Sequence, residues 1–560
     1  MTTTVPVAPA KASRREWIGL AVIALPCLLY SMDLTVLNLA VPALSAALQP
    51  SAAQLLWIVD IYGFMVAGAL ITMGTLGDRI GRRRLLLIGA AAFGIASVLA
   101  AFSTSAEMLI ATRALLGLAG ATLAPSTLSL IRNMFHDPGE RTLAIGIWVS
   151  SYSVGAAIGP LVGGVLLEYF WWGSVFLVGV PVMVLLLMVG PVLLPEFRDP
   201  QAGRLDLSSA ALSLAAVLTT IYGLKQTAEH GPGWAPGLCL LAGAGLGLMF
   251  LRRQRRLADP LIDLALFRRP AFSALLTTYT LGCFTMFGAY LFIAQHLQLV
   301  LGLSPLAAGL WTVPWALAFV VGSMLTPLLV RCWRPADVVA AGLAVTAGGF
   351  VLMAQVRAED GPQWVIGASV ILSLGLAPVF TLATDLIVGS APPERAGAAA
   401  AISETSAEFG GALGIAVFGS IGAAVYRTVM TDGMPAGVTP EAMNAARSTL
   451  GAASAAAAAL PADVGAALLA ATREAFVDGL RLTAWIAAAI MGATALLAMT
   501  ILRRSSPGDS RAGTASALQA AATEAPAARL RCSRAAHRAS CAAHRSASRP
   551  TAERRNRHKG

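Results

Sequence analysis

The chain has 560 residues, of which 57% are hydrophobic and only 12% are charged, and its mean hydropathy is +0.72. Soluble domains carry about twice that fraction of charged residues, so the composition excludes an ordinary soluble protein. The formal net charge of +11 is not spread evenly along the chain. Residues from Arg503 onward include 13 basic and 3 acidic residues, whereas the remainder includes 27 and 26. The basicity therefore belongs to a C-terminal tail, and nucleic acid is not an expected partner.

Apolar runs recur along nearly the whole chain, and each is long enough to cross a hydrocarbon core about 30 Å thick as a helix. Alternating segments of about ten residues, which are typical of a membrane β-barrel, do not occur. The sequence therefore predicts an all-α polytopic protein embedded in a lipid bilayer. We predict fourteen spans, at residues 17–44, 55–76, 85–102, 108–130, 143–167, 173–194, 207–225, 236–251, 272–301, 307–330, 338–355, 365–388, 396–426 and 480–502.

The connections between these spans alternate in basic residues. One set of connections carries 20 Lys and Arg residues before the tail, whereas the other carries Arg357, Arg427, Arg447 and Arg473. Basic loops stay in the cytoplasm, so the first set is predicted to be cytoplasmic. An even number of spans then places both termini on that side of a bacterial cell membrane.

A weak internal repeat divides the chain into two halves. GDRIGRRRLLLIGAA follows the second span, and VRCWRPADVVAAGLA follows the tenth, so similar Arg-bearing turns recur in two halves. Paired six-helix bundles are the plan of many secondary transporters. We predict an N-terminal six-helix bundle (1–200), an inserted helix pair with its linkers (201–258) and a C-terminal six-helix bundle (259–504). The C-terminal bundle includes an outer helical hairpin at 427–479, and a disordered basic tail follows at 505–560.

Five ionisable residues fall inside predicted spans: Asp33, Asp60, Arg113, Glu404 and Glu408. Glu404 lies nearer the cytoplasmic end of its span, and an interfacial position is the alternative for it. Such groups are costly in a membrane and usually face a cavity or a partner. The two Glu residues are four apart and therefore lie on one helix face. A proton and a positively charged ligand would compete for these carboxylates, which makes proton-coupled cation transport possible. The alternative is that the acids form structural hydrogen bonds that fix helix packing. Asp385, near the end of its span, is expected to be solvated.

Two further features have both a functional and a structural interpretation. The fifth span contains Gly155, Gly159, Pro160, Gly163 and Gly164 within ten residues, which favours a sliding or bending helix contact or, alternatively, ordinary tight packing. Aromatic residues in the first half could hold a cation through cation–π contacts or could simply pack. These are Trp57, Tyr62, Trp148 and Tyr152.

Several motifs resemble the major facilitator superfamily, specifically its drug:proton antiporter-2 branch with fourteen transmembrane helices. SMDLTVLNLAVPAL (31–44) and LLWIVDIYGFMVAG (55–68) are similar to the first two helices of that branch. GTLGDRIGRRR (74–84) resembles the loop motif of the whole superfamily. By this resemblance the loop biases the equilibrium between outward-open and inward-open states. Its residues here are Gly74, Asp78, Arg79, Gly81 and Arg82.

Other segments extend the resemblance to roughly residues 17–504. RALLGLAG (113–120) resembles the fourth-helix motif, whose Arg is implicated in proton coupling, although Leu116 stands where a polar Gln is expected. GAAIGPLVGG (155–164) resembles the antiporter motif of the fifth helix, and AISETSAEFGGALGIAVFGS (401–420) resembles the thirteenth helix. ADPLIDLALFRR (258–269) is similar to the linker into the second half.

The resemblance implies a proton-coupled multidrug efflux antiporter of the quaternary-ammonium and methyl-viologen type. The expected partners are lipophilic mono- and divalent organic cations, such as quaternary ammonium compounds, dyes and viologens, together with protons and the lipid bilayer. No metal or cofactor is expected beyond the proton-motive force, and a monomer is expected. The alternative is an exporter of one antibiotic or secondary metabolite. A membrane enzyme or a non-transporting receptor is a remote alternative, because neither a metal-ligand cluster nor a phosphate loop occurs in the sequence.

Overall fold

The computed structural model of the chain describes residues 11–50, 52–198, 206–230, 233–257, 260–391, 396–432, 435, 437–448 and 450–504. The contacts divide the chain at residue 501, and the helices below belong to the first unit, apart from the last residues of the final helix. The predicted tail, 505–560, lies outside the described residues.

Within the described part of the chain the regular structure is helical. The helices are α1 (Arg14–Leu48), α2 (Ala52–Ile80), α3 (Arg82–Ala101), α4 (Ala106–Gly120), α5 (Leu123–Met134), α6 (Pro138–Tyr169), α7 (Ser174–Leu177), α8 (Gly179–Leu193), α9 (Leu207–His230), α10 (Trp234–Gln254), α11 (Pro270–Gln295), α12 (Pro305–Cys332), α13 (Pro335–Met353), α14 (Pro362–Gly389), α15 (Ala396–Asp432), α16 (Pro440–Ser448), α17 (Leu450–Ala457) and α18 (Ala462–Arg504). Fourteen stretches of the described residues are long and apolar enough to cross a membrane, so the predicted all-α fold with fourteen spans is confirmed.

The fourth span is broken, which differs from the prediction of one helix over 108–130. The break falls at residues 121–122, between α4 and α5. Pro125 explains it, because proline has no N–H to donate to the carbonyl of Ala121 and its ring clashes with a continuous helix. In the first turn of a new helix the missing N–H costs nothing, so α5 begins at Leu123, two residues before the proline.

The start of the last span also differs from prediction, since it begins at Ala462 rather than at residue 480. The ninth span ends in a π-helical turn, His296–Val300, next to its predicted end at residue 301. The long connection predicted at 427–479 is therefore largely helical, since α15 extends to Asp432 and α18 starts early. Between them lie the short helices α16 and α17. The Tyr426 hydroxyl donates to the Ala446 carbonyl at 2.7 Å and ties α15 to α16.

The helix pair α9 and α10 packs together and, through α9, against α2 and α15. Phe64 and Ala67 of α2 and Ile221 of α9 form a buried apolar cluster, against which Ala412 of α15 packs. A second contact joins the end of α10 to the residue before α9. Arg253 at the end of α10 donates two hydrogen bonds, 2.7 and 3.0 Å long, to the carboxylate of Asp206, which precedes α9.

That ion pair is part of a small polar network. Gln254 donates to the Ser209 hydroxyl at 2.8 Å, and its own amide oxygen accepts the backbone N–H of Leu261 at 2.7 Å. The hydrogen bond from Arg253 holds the pKa of Asp206 well below its ordinary value. The network therefore links both helices of the pair to the segment that leads into α11.

Candidate functional site

Asp33 and Arg113 form a buried ion pair between α1 and α4. A guanidinium nitrogen of Arg113 lies 2.6 Å from Oδ2 of Asp33, and the Arg113 residue is 0% exposed. The same guanidinium donates to the carbonyl of Ile58 at 3.1 Å and lies 4.9 Å from the ring centroid of Tyr62. Removing one partner of a buried pair costs about 3–5 kcal/mol, because the other charge is left without compensation.

Close packing of α4 against α2 positions this arginine. Gly117, one turn after Arg113, faces the Tyr62 carbonyl so closely that a Cβ would overlap it. The side chain at 113 can therefore reach backbone carbonyls of α2. Asp60 lies on that same stretch of α2 and is half-buried, two residues after Ile58.

Glu404 and Glu408 project from α15, and both are half-buried. The Tyr30 hydroxyl of α1 donates to Oε1 of Glu408 at 2.7 Å, across 378 residues of sequence. Oε1 of Glu404 is buried and has no hydrogen-bond partner. The structure therefore brings Glu408 to the helix that carries Asp33, while one oxygen of Glu404 is removed from water without compensation.

Aromatic rings surround the Tyr30 contact. The ring centroid of Tyr30 lies 5.9 Å from that of Tyr62 and 5.7 Å from that of Tyr152, and Tyr152 packs edge-on against Trp148 at 4.9 Å. The hydroxyls of Tyr62 and Tyr152 are buried, and neither has a hydrogen-bond partner. Trp148 is itself held, because its indole N–H donates to the Thr127 hydroxyl at 2.9 Å.

Of the four aromatic candidates, Tyr62 and Tyr152 thus belong to this cluster, Trp148 supports it, and Trp57 does not join it. Trp57 stacks on Tyr222 of α9, with 6.2 Å between ring centroids, and is 40% exposed. Tyr30 was not among the residues predicted from the sequence. Its spacing of three residues from Asp33 places both on one face of α1, and this was the available signal.

The motif at residues 74–84 makes a polar contact with the start of α15. The carboxylate of Asp78 accepts two hydrogen bonds from Arg82, at 2.9 and 2.7 Å. It also accepts the backbone N–H groups of Gly397 and Ala398, at 3.2 and 3.0 Å. The first N–H groups of a helix lack internal partners and carry partial positive charge, so a carboxylate is stabilised there. Arg79 lies half-buried in the last turn of α2.

Two glycines of this motif are required by their surroundings. A Cβ at Gly74 would lie 2.5 Å from the Cβ of Ala401 and 2.6 Å from the Gly397 carbonyl, so only glycine permits this approach of α2 to α15. Gly81 has φ of +110°, and a Cβ there would lie 2.6 Å from the Glu196 carboxylate. That carboxylate accepts the backbone N–H groups of Arg83 and Arg84, both at 3.1 Å.

A second polar contact lies at the same end of the bundle, which we call the arginine-rich end because it carries Arg82, Arg132 and Arg141. Arg141 Nε lies 2.7 Å from Oδ1 of Asp385, and the Thr142 hydroxyl donates to its Oδ2 at 2.8 Å. Asp385 is only 6% exposed, so the expectation that it is solvated is wrong. Its partner, 244 residues away, could not be identified from local sequence.

Arg132 adds a third contact at the arginine-rich end. It donates to the carbonyls of Gly389 and Ala391, which follow Asp385 at the end of α14. Helices α2, α5 and α6 are thereby joined to α14 and α15 at one end of the bundle.

Gly155 of α6 packs closely against α1. A Cβ at Gly155 would overlap the Leu28 carbonyl, whereas a Cβ at Gly164 would meet nothing within 4 Å. Gly159 and Gly163 are buried, and the side chain of Pro160 lies outside the described residues. Tight packing is thus observed at Gly155, and the sliding or bending contact stays a prediction.

Comparison with known proteins identifies the family. The sequence profile of the Major Facilitator Superfamily matches residues 23–415. The multidrug efflux pump LfrA of Mycolicibacterium smegmatis is 44% identical over 506 residues, covering 90% of this chain and 100% of that protein. The methyl viologen resistance protein SmvA of Salmonella typhimurium is 38% identical over 471 residues, covering 83% of this chain and 93% of that protein.

A solved structure agrees in fold. The crystal structure of a bacterial homolog of the human lysosomal transporter Spinster, in an inward-facing and unoccupied conformation, has a TM-score of 0.54 and 20% sequence identity, covering 89% of this chain and 100% of that one. The profile, the two relatives and the fourteen candidate spans together show that this chain belongs to the Major Facilitator Superfamily of membrane transporters, in its fourteen-helix arrangement.

Proposed function

We propose that the chain is a proton-coupled exporter of lipophilic organic cations in the bacterial cell membrane, with both termini in the cytoplasm. The observation that carries this proposal is the carboxylate of Glu404, one oxygen of which is buried without a hydrogen-bond partner. An ionised carboxylate in such a place is costly unless it gains a proton or a positive ligand. The names of the relatives LfrA and SmvA, a multidrug pump and a methyl viologen resistance protein, support cationic drugs as the substrate class.

The surroundings of the acid suit a lipophilic cation. Glu408 lies four residues further on the same helix and accepts a hydrogen bond from Tyr30, whose ring packs near those of Tyr62 and Tyr152. Aromatic faces attract cations, and desolvated contacts of this kind are worth about 2 kcal/mol or more. We assign Asp33, with its partner Arg113, and Asp60 to the same proton- and cation-handling region.

We propose that the chain works as two six-helix bundles with the pair α9–α10 inserted between them in sequence, as a monomer and without a cofactor. Asp78 binds the first amides of α15, and Glu408 lies ten residues after Ala398 on that helix, a rise of about 15 Å. Binding of a proton or a cation to the acids and closure of the contacts at the arginine-rich end therefore both act on the same helix, α15. A proton arriving from outside neutralises an acid, the cation leaves outward, and the carrier resets.

Transport by the purified protein in lipid vesicles tests the proposal. An acidic vesicle interior should drive accumulation of ethidium or methyl viologen in exchange for protons, and Glu404→Gln should lose the response to the pH gradient. Ethidium movement that ignores the gradient, or an unchanged response in Glu404→Gln, would refute proton coupling at this residue. Gradient-driven transport of a neutral antibiotic but of no organic cation would favour the alternative, an exporter of one antibiotic.

A further inference from the structure

Tyr30 joins α1, which carries Asp33, to α15, which carries Glu404 and Glu408. It precedes Asp33 by three residues on α1, and its hydroxyl donates to Oε1 of Glu408 on α15 at 2.7 Å. Tyr30 itself is 8% exposed, whereas Glu408 is half-buried. The contact thus connects α1 to α15 well away from the contacts at the arginine-rich end.

We infer that Tyr30 is a positioning residue for Glu408: its hydroxyl holds the ionised carboxylate toward α1 and sets the proton concentration at which this acid exchanges a cation for a proton. The inference rests on the proposed function, because it assigns a role within that exchange.

The chemistry of the pair gives the direction of the effect. A neutral phenol donates a stronger, charge-assisted hydrogen bond to a carboxylate than to a protonated carboxyl group. Losing the hydroxyl therefore favours the protonated form of the acid, which cannot compensate a cation. Without Tyr30 the acid should therefore exchange its proton for a cation only at a more alkaline pH.

Neighbouring rings hold Tyr30 in place. It lies between Tyr62 and Tyr152, with centroid distances of 5.9 and 5.7 Å. The hydroxyls of both neighbours are buried and lack a hydrogen-bond partner, so among these three tyrosines the hydroxyl of Tyr30 is the one bound to an acid. Because the ring contacts do not involve that hydroxyl, Tyr30→Phe should keep the cluster and delete one hydrogen bond.

Other titratable groups face Glu408 and must be considered in a pH measurement. One of them is the carboxylic acid Glu404, which is retained in the variants below. On α1 the next acid, Asp33, is already paired with Arg113. Groups that interact electrostatically with Glu408 from α15, α2 and α11 include Glu404, Tyr62, Tyr279 and Cys283.

The test compares Tyr30→Phe with Tyr426→Phe in the purified full-length protein. Tyr426 lies on α15, and its hydroxyl makes a hydrogen bond of the same length, 2.7 Å, to the Ala446 carbonyl, away from the acids. The measurement is equilibrium binding of ethidium, by fluorescence, across acidic and alkaline pH. Tyr30→Phe should move the midpoint of binding about one pH unit to the alkaline side, a tenfold change in proton concentration, with affinity retained at the alkaline limit. Tyr426→Phe should leave the midpoint unchanged.

A double-mutant comparison makes the test independent of folding effects. In a Glu408→Gln background, Tyr30→Phe should produce no further shift of the midpoint, because the acid on which the hydroxyl acts is gone. An unchanged or acidic shift in Tyr30→Phe, an equal shift in Tyr426→Phe, or a full shift in the Glu408→Gln background would each overturn the inference while the proposed function stands. A wild-type protein that binds ethidium at no pH would overturn both.

Discussion

Asp385→Asn should weaken the contact that joins α6 to α14 at the arginine-rich end. The substitution keeps the size of the side chain but removes the charge that pairs with Arg141 at 2.7 Å and one of the two oxygens available to Arg141 and Thr142. Hydrogen bonds to charged groups are worth about 1.5–3 kcal/mol. Because the side chain of Arg141 is 23% exposed, solvent screening reduces that value here. We expect a loss of about 1–2 kcal/mol, which is a factor of about 5–30 in the proposed equilibrium between closed and open states of this end.

Distance measurements between spin labels on α5 and α14 would report that equilibrium. Asp385→Asn should increase the population with a long distance, whereas Glu359→Gln is the matched control. Glu359 pairs with Arg357 at 3.7 Å, but both side chains are largely exposed, at 80% and 67%, so its loss should change little. Distance distributions that coincide for the wild type and Asp385→Asn would refute the reasoning, as would an equal change in the control.

Three further predictions concern packing and pH. Gly155→Ala should reduce thermal stability and transport because a Cβ there overlaps the backbone of α1, whereas Gly164→Ala, with open space around it, should behave as the wild type in the same assays. Gly81→Ala should lower the melting temperature by the equivalent of about 1–3 kcal/mol, because φ is +110° there and Glu196 occupies the space; a wild-type melting curve would contradict this. The pKa of Asp206 lies well below its ordinary value, so its bond to Arg253 should contribute stability at neutral pH and lose that contribution as pH falls below about 4. Asp206→Asn should therefore lower stability at neutral pH and reduce its loss on acidification in melting curves, and curves that match the wild type at both pH values would contradict this.

Much of the fold could be predicted because membrane spans are a local property of sequence. Each apolar run must satisfy its own backbone hydrogen bonds and match the bilayer thickness, so length and hydropathy suffice to count helices. The break before α5 also had a local cause in Pro125, although we predicted one continuous span. The early start of α18 was not predicted as part of the last span, because residues 462–479 are less apolar than a span, although the hairpin predicted at 427–479 included helix there.

The candidate site was predictable only in its parts. The spacing of Glu404 and Glu408 placed them on one helix face, and the motif at 74–84 indicated Asp78 and Arg82, because both inferences use residues close together in sequence. The partners of these groups depend on which helices pack together. Tyr30 reaches Glu408 across 378 residues, and Arg141 reaches Asp385 across 244.

The amino-acid sequence by itself therefore determined that this chain is a fourteen-span membrane protein with acids inside its spans, because a bilayer acts on each segment separately. Only the tertiary structure decided which acid is paired, which is bound by a tyrosine and which oxygen is left without a partner. Those outcomes depend on distances of a few ångströms between helices, and small residues such as Gly74 and Gly117 set how closely the helices approach.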